Sequence, residues 1–157
     1  MQIEINKIED KDLEQAQGFC LFIFEELGWD KNFTYGLDNL KEFFGGQREI
    51  FFLAKEKEKI IACAGLKELS ETEGLIKRFY VAKEFRGKGL AGLMLRKIKQ
   101  FAKEKNYKTI VLDIFKDNIR AKKFFKKHRF VVFNPYPHEN WLESQHPKIF
   151  AFRKLEL

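Results

Sequence analysis

Long apolar runs are missing from this chain. No stretch approaches the roughly 18 apolar residues that a membrane span needs, so no membrane partner is expected. Met1-Gln2-Ile3-Glu4 has neither the basic nor the apolar region of an export signal, and secretion is not expected. Cysteine is scarce, at two residues. Cys20 and Cys63 lack metal-ligand spacing, no His clearly supports either as a nucleophile, and a cytoplasmic protein with buried, reduced thiols is the reading. No metal is expected. The three prolines fall at 135, 137 and 147, confined to one late loop. No repeat, low-complexity segment or linker interrupts the chain, so residues 1–157 read as a single domain.

What is present is charge and phenylalanine. Apolar residues make up 45% and charged residues 34%, ordinary values for a globular domain. The 18 Phe read mainly as core. The net charge of +7 favours an anionic partner, which by charge alone is nucleic acid, an anionic surface or a phosphorylated cofactor.

Residues 2–8 alternate with period two, the mark of a strand. Asp10 is placed to cap a helix through about Leu27, whose apolar positions fall three or four apart, and Gly28 ends it. A shorter helix is expected over 36–44, stopped by Gly45-Gly46. Two apolar runs, 50–54 and 60–66, flank Lys55-Glu56-Lys57-Glu58-Lys59, which reads as a solvated hairpin turn. Ser70 and Glu73 match a helix capping box, yet the run Leu75–Val81 is strand-like, so a turn is expected there. An amphipathic helix follows to about Lys105, then a strand at 109–112, a helix at 117–127, and strands at 130–133 and 149–155. This order predicts a mixed α/β (α+β) domain whose central strands are antiparallel.

The segment between the third hairpin strand and the amphipathic helix carries the chemistry. Phe85-Arg86-Gly87-Lys88-Gly89-Leu90-Ala91-Gly92 is a basic glycine loop opening directly into a helix. The first turn of a helix has N–H groups without internal partners and a partial positive charge, and glycine lets the backbone approach an anion closely. Arg86 and Lys88 add full charges. These residue types make a diphosphate cradle. Gly87-Lys88-Gly89-Leu90-Ala91-Gly92 also satisfies the dinucleotide fingerprint, with Asp113 about twenty residues on. Against an NAD(P) site, five residues separate Val81 from Gly87, the upstream strands arrive through hairpins, and only about 65 residues follow.

Arg86-Gly87-Lys88-Gly89-Leu90-Ala91 resembles the acyl-coenzyme A loop of the GNAT acetyltransferase superfamily, Gln/Arg-x-x-Gly-x-Gly/Ala, with Arg86, Gly89 and Ala91 at the defined positions. Asn118 and Ala121, followed by Phe124-Phe125 and ending at Phe130, are similar to the family's second block. The resemblance implies about seven strands flanked by four helices, acetyl-CoA as co-substrate, and direct attack by a primary amine on the thioester. It implies a pyrophosphate on Gly87 to Gly92, a pantetheine arm along Phe79, Tyr80 and Val81, and cofactor contacts from Asn118 and Lys122.

The acid and base are less legible. Phe125 stands where the family often has a Tyr acid, and Leu75 where it often has a Glu base. Glu73, on the same strand face as Leu75, and Glu68 are the candidate bases, with Tyr80 or Tyr136 as candidate acids. Phe22, Trp29, Phe33, Tyr35, Tyr136 and His138 are candidate walls of an acceptor pocket. The missing acid and base keep open an alternative, a non-catalytic acyl-CoA sensor. No nucleic-acid motif accompanies the basic residues, so nucleic acid is not an expected partner. The chain is expected to be a monomer or a homodimer.

Overall fold

The computed structural model describes residues 2–157. Strand β1 (Glu4–Lys7) leads through a 3-10 turn into helix α1 (Leu13–Leu27), and two further 3-10 turns lead to α2 (Leu40–Phe43). Three strands follow, β2 (Ile50–Glu56), β3 (Lys59–Glu68) and β4 (Glu73–Val81), then α3 (Leu90–Glu104), β5 (Thr109–Phe115), α4 (Ile119–Lys127), β6 (Val131–Val132) and β7 (Phe150–Glu156). The seven strands form one sheet in the order β1-β2-β3-β4-β5-β7-β6, and β4 with β5 is its parallel pair. The expected mixed, mostly antiparallel architecture is the one found. No helix among the described residues is long and apolar enough to cross a membrane.

Local chemistry explains the boundaries. In α1 the buried positions Ala16, Cys20, Ile23 and Phe24 form one stripe, and Gly28, at φ 69°, caps the end in the left-handed conformation. Asp10 does not cap this helix. The carboxylate of Asp12 instead accepts the Glu9 N–H (3.0 Å) and pairs with Lys55 of β2 (2.5 Å), which moves the helix start to Leu13. The helix expected over 36–44 shrinks to Leu40–Phe43, because Gly36 sits at φ 82° and Asn39 lies outside helical geometry. The charged insert narrows to a two-residue turn, since Lys55 and Glu56 belong to β2 and Lys59 to β3; Lys57 and Glu58 both take positive φ, the twist a tight hairpin demands. The Glu73 N–H does donate to Ser70 Oγ (3.1 Å), but the Glu73 carboxylate accepts the Ser70 hydroxyl (3.2 Å) rather than its N–H, and the pair closes the turn into β4 and starts no helix.

The sheet carries a core on each face. On one face α3 and α4 bury Met94, Ile98, Phe125 and Phe130 against Ile76, Ile110 and Leu112. On the other, α1 and α2 cover Phe51, Leu53 and Cys63, while Trp141, from the late loop, packs on Leu75 and Val111. The five buried residues of α3, Leu90, Met94, Leu95, Ile98 and Ala102, fall at helical spacing, and burial of this apolar face holds the element on the sheet.

Candidate active site

Strands β4 and β5 run side by side only from Glu73↔Thr109 to Ile76↔Leu112. Beyond that point both continue, β4 to Val81 and β5 to Phe115, without pairing. The gap between them is a cavity of about 610 Å³ that reaches from the glycine loop to α1 and the late loop.

A β-bulge sets what faces this gap. Cys63 pairs with Tyr80 and Gly65 with Lys77, so Arg78 and Phe79 together oppose Ala64. Arg78 takes φ 57°, unusual for a residue with a side chain. The Ala82 N–H bonds to the Ile61 carbonyl. Because antiparallel pairs alternate, the main-chain groups of Tyr80 then point to β3, and those of Phe79 and Val81 point to the open side. The Val81 carbonyl indeed accepts Arg86 Nε at 2.9 Å.

At one end of the cavity lies the loop. Gly87 and Gly89 adopt φ 75° and 88°, and a Cβ added at either meets no atom within 4 Å. Gly89 is the N-cap of α3, and no side chain caps that helix. The first-turn N–H groups therefore have neither an internal nor a side-chain acceptor. A diphosphate fits the empty, donor-lined concavity on both counts. The charge expected from Arg86 is spent elsewhere, since its guanidinium forms a two-pronged ion pair with Glu26 of α1 (2.7 and 2.9 Å). That hydrogen bonding, against the effect of burial, holds the Glu26 carboxyl below its ordinary range. Arg86 thus ties the loop to α1 and to the end of β4. Asn118 caps α4 by accepting the Ala121 N–H (3.1 Å) and lines the cavity beside Arg120.

The opposite end is built of buried charge and aromatic rings. Lys77, with a side chain 2% exposed, pairs with Glu143 at 2.7 Å and with Asp113 at 3.3 Å. Glu143 also accepts the Tyr35 hydroxyl. Burial pushes the Asp113 carboxyl up to about 7, more than Lys77 pulls it down. Glu143 is buried too, but Lys77 and the Tyr35 hydroxyl hold it below its ordinary value. Around this cluster Trp29 stacks on Phe115 (4.7 Å), Phe24 meets Trp29 edge-on (5.4 Å), and Phe33 meets Phe150 edge-on (4.9 Å).

The sequence model of the acetyltransferase (GNAT) family matches residues 17–130. The chain belongs to this family. Among solved structures, it is similar to an acetyltransferase of GNAT family from Staphylococcus aureus Mu50, with TM-score 0.84, 24% identity and 99% of each chain covered. It is also similar to the PaiA N-acetyltransferase of Thermoplasma acidophilum, solved in complex with coenzyme A, with TM-score 0.76, 17% identity and 100% of each chain covered. An uncharacterized N-acetyltransferase of Dictyostelium discoideum is 38% identical over 61 residues, which are 39% of this chain and 28% of that relative. The chain therefore matches well under half the length of that curated relative.

Within this GNAT fold the residues picked from sequence separate into groups. Phe79, Tyr80, Val81, Arg86, Gly87, Gly89, Ala91, Gly92 and Asn118 line the cavity, as do Trp29 and Phe33. Leu90 is buried in the core beneath the loop, Lys88 is solvated beside Phe85, and Lys122 reaches back to the Lys116 carbonyl (3.2 Å). Phe22 is 65% exposed, because helical spacing turns it to the outer side of α1, and it lies outside the cavity. Tyr35 stands behind the wall, and His138 binds the Asn140 N–H in the late loop.

Glu73 and Glu68 also lie outside the cavity. Glu73 does share the face of Leu75, but it sits at the closed end of β4, opposite Thr109, where it accepts the Tyr136 hydroxyl. Glu68 pairs with Arg48 at 2.5 Å. The carboxylates that do line the cavity are Asp113 and Glu143, which sequence reasoning passed over as a possible ribose ligand and a loop residue. Asp113 follows directly on Leu112, the last residue of β5 paired to β4, so the signal that would have found it is the point where two parallel strands part.

Proposed function

We propose that this chain transfers the acetyl group of acetyl-CoA to a primary amine of a small molecule, in the cytoplasm. The carrying observation is a single continuous cavity with a bare helix N-terminus at one end and the buried carboxylates of Asp113 and Glu143 at the other. Acetyl-CoA supplies an activated acyl carbon and a thiolate leaving group whose conjugate acid has a pKa of ~8.5.

The N–H groups of Gly87 to Gly92 would hold the two phosphates, and the open main-chain groups of Phe79 with the Val81 N–H would hold the amide-bearing arm as an added strand does. The same open edge supplies an N–H donor to the thioester carbonyl, a contact worth ~2.7–4 kcal/mol in comparable sites. Asp113 takes the proton that the amine must lose before it attacks; a base of pKa about 7 is well matched to that task at neutral pH. Glu143 keeps its charge and, through Lys77, fixes the position of Asp113.

Phe125 is buried in the core and offers no hydroxyl. The phenol lining the cavity is Tyr80, whose hydroxyl accepts a hydrogen bond from Arg78 (3.4 Å). Burial pushes its pKa well above the ordinary value, against the pull of Arg78. Such a phenol donates a hydrogen bond to a departing thiolate but keeps its proton. The thiolate leaves unprotonated.

Calorimetric titration with acetyl-CoA, followed by thiol release across a panel of amines, tests the reading. Tight binding with turnover of at least one amine is expected. Binding with no thiol release from any amine would favour the acyl-CoA sensor, and affinity for NAD(P) without affinity for acetyl-CoA would remove the proposal.

A further inference from the structure

Beyond its hydrogen bond to Tyr80, Arg78 has no role in the chemistry above, and among the described residues it forms no ion pair. Its side chain lines the cavity and is 6% exposed. Nη2 donates to the Tyr35 carbonyl (2.6 Å) and Nη1 to the Tyr80 hydroxyl (3.4 Å), both neutral acceptors. Nε is buried and has no partner. Among the described residues no carboxylate forms an ion pair with it, whereas its neighbour Lys77 has two. The rings of Phe24 and Tyr35 face the guanidinium at 5.7 and 5.3 Å, which softens the desolvation but supplies no counter-charge.

A buried guanidinium keeps its proton, and here Glu143 offsets the cost of its desolvation only from beyond ion-pair distance. The β-bulge adds to that cost by holding Arg78 at positive φ. Guanidinium is also the group whose planar fork matches a carboxylate. We propose that the amine acceptor is an amino carboxylate with an apolar side chain, its carboxylate bound by Arg78, its amine directed to Asp113, and its side chain laid on Trp29, Phe33 and Phe115. This deepens the acetyltransferase reading and rests on it. The acceptor carboxylate would give Arg78 the ion pair it lacks, while Asp113, on the neighbouring strand β5, lines the same cavity.

The test compares acceptors that differ only in the carboxylate: L-phenylalanine with phenethylamine and with its methyl ester, and L-leucine with isoamylamine. Thiol release by the unmodified protein is expected to favour the acid on the order of 10- to 100-fold in kcat/KM, the weight of a hydrogen bond to a charged group. In R78Q that ratio is expected to fall toward one, and in R78K to lie between, with acetyl-CoA affinity measured by calorimetry as the control for folding. Equal or better turnover of the decarboxylated amines, of the esters or of peptide N-termini by the unmodified protein overturns the inference and leaves the acetyltransferase reading standing. Retention of the acid preference in a folded R78Q overturns it as well. Absence of acetyl-CoA binding overturns the underlying reading and the inference with it.

Discussion

Replacing Lys77 by Met tests how the acceptor end of the cavity is held together. The substitution keeps the length of the stem and removes the ammonium, so it perturbs charge more than packing. Lys77, Glu143 and Asp113 have side chains 2%, 3% and 10% exposed, so water cannot take over the pairing. Breaking a buried pair by removing one partner costs about 3–5 kcal/mol, because the remaining charge stays desolvated. For a domain of this length 1 kcal/mol corresponds to about 2–4 °C in Tm, so Lys77→Met should lower Tm by about 6–20 °C at pH 7.5. The pH dependence has a defined sign. Without the ammonium both carboxyls gain protons more readily in the folded state than in the unfolded chain, where they titrate near ~4. Acidification from pH 7.5 to 5 neutralises them in the fold alone, so the Tm gap to the unmodified protein should narrow. Differential scanning calorimetry at the two pH values reads this directly. Adding Asp113→Asn should restore part of the loss, since the cost comes from uncompensated carboxylate. A gap under 3 °C at pH 7.5, or one that widens in acid, would refute the account.

Three further outcomes follow from the geometry. Asp113→Asn should lower kcat/KM for the amine by roughly 10²–10⁴-fold while leaving acetyl-CoA affinity nearly intact. Asp113 acts as a base only when ionised, so the unmodified enzyme's activity should rise with pH through about 7, and the variant should lack that limb in a pH–rate profile. Gly89→Ala places a side chain at φ 88° and should cost about 1–2 kcal/mol, or about 2–8 °C in Tm by calorimetry, and should weaken acetyl-CoA binding at least tenfold because the methyl enters the open cradle. Cys20 and Cys63 are buried 3.7 Å apart as free thiols, and burial pushes the Cys63 thiol up. Ellman's reagent should therefore find no thiol in the folded protein and two in guanidinium chloride; fast labelling of the native state would contradict the packing of α1 on β3.

The architecture was legible because its signals are local. Helical spacing in α1 and α3, the tight turn at Lys57-Glu58 and the glycine loop each depend on a few consecutive residues, and each appears where those residues predict it. The cofactor end of the cavity shares that property, since a bare helix N-terminus is a property of one segment. The acceptor end does not. Lys77, Asp113, Glu143 and Tyr35 come from four separate parts of the chain, and no spacing rule relates them. Glu73 illustrates the resulting error: period two placed it correctly on the face of Leu75, but period two says nothing about which end of β4 the cavity opens from. Arg86 illustrates the converse, a charge that its position assigns to the phosphate and that Glu26, sixty residues upstream, takes instead.

The bulge at Arg78 is what makes the two ends compatible. In a regular strand Leu75 and Tyr80, five positions apart, would lie on opposite faces. Here both lie on the face covered by α1 and the late loop, Leu75 with Trp141 and Tyr80 against Phe24, while Ile76, Phe79 and Val81 all face α3 and α4. One inserted residue restores the parity. It puts Lys77 and Arg78 side by side on the acceptor face, and it lets Phe79 and Val81 present apolar side chains to the α3–α4 core while the Phe79 main chain and the Val81 N–H open onto the gap. Cys63 supports the arrangement from β3, donating its thiol to the Arg78 carbonyl (3.1 Å) at the point where the ladder is interrupted. The positive φ of Arg78 is therefore a local cost that the fold bears in order to give one strand two chemically different faces at the place where donor and acceptor must meet.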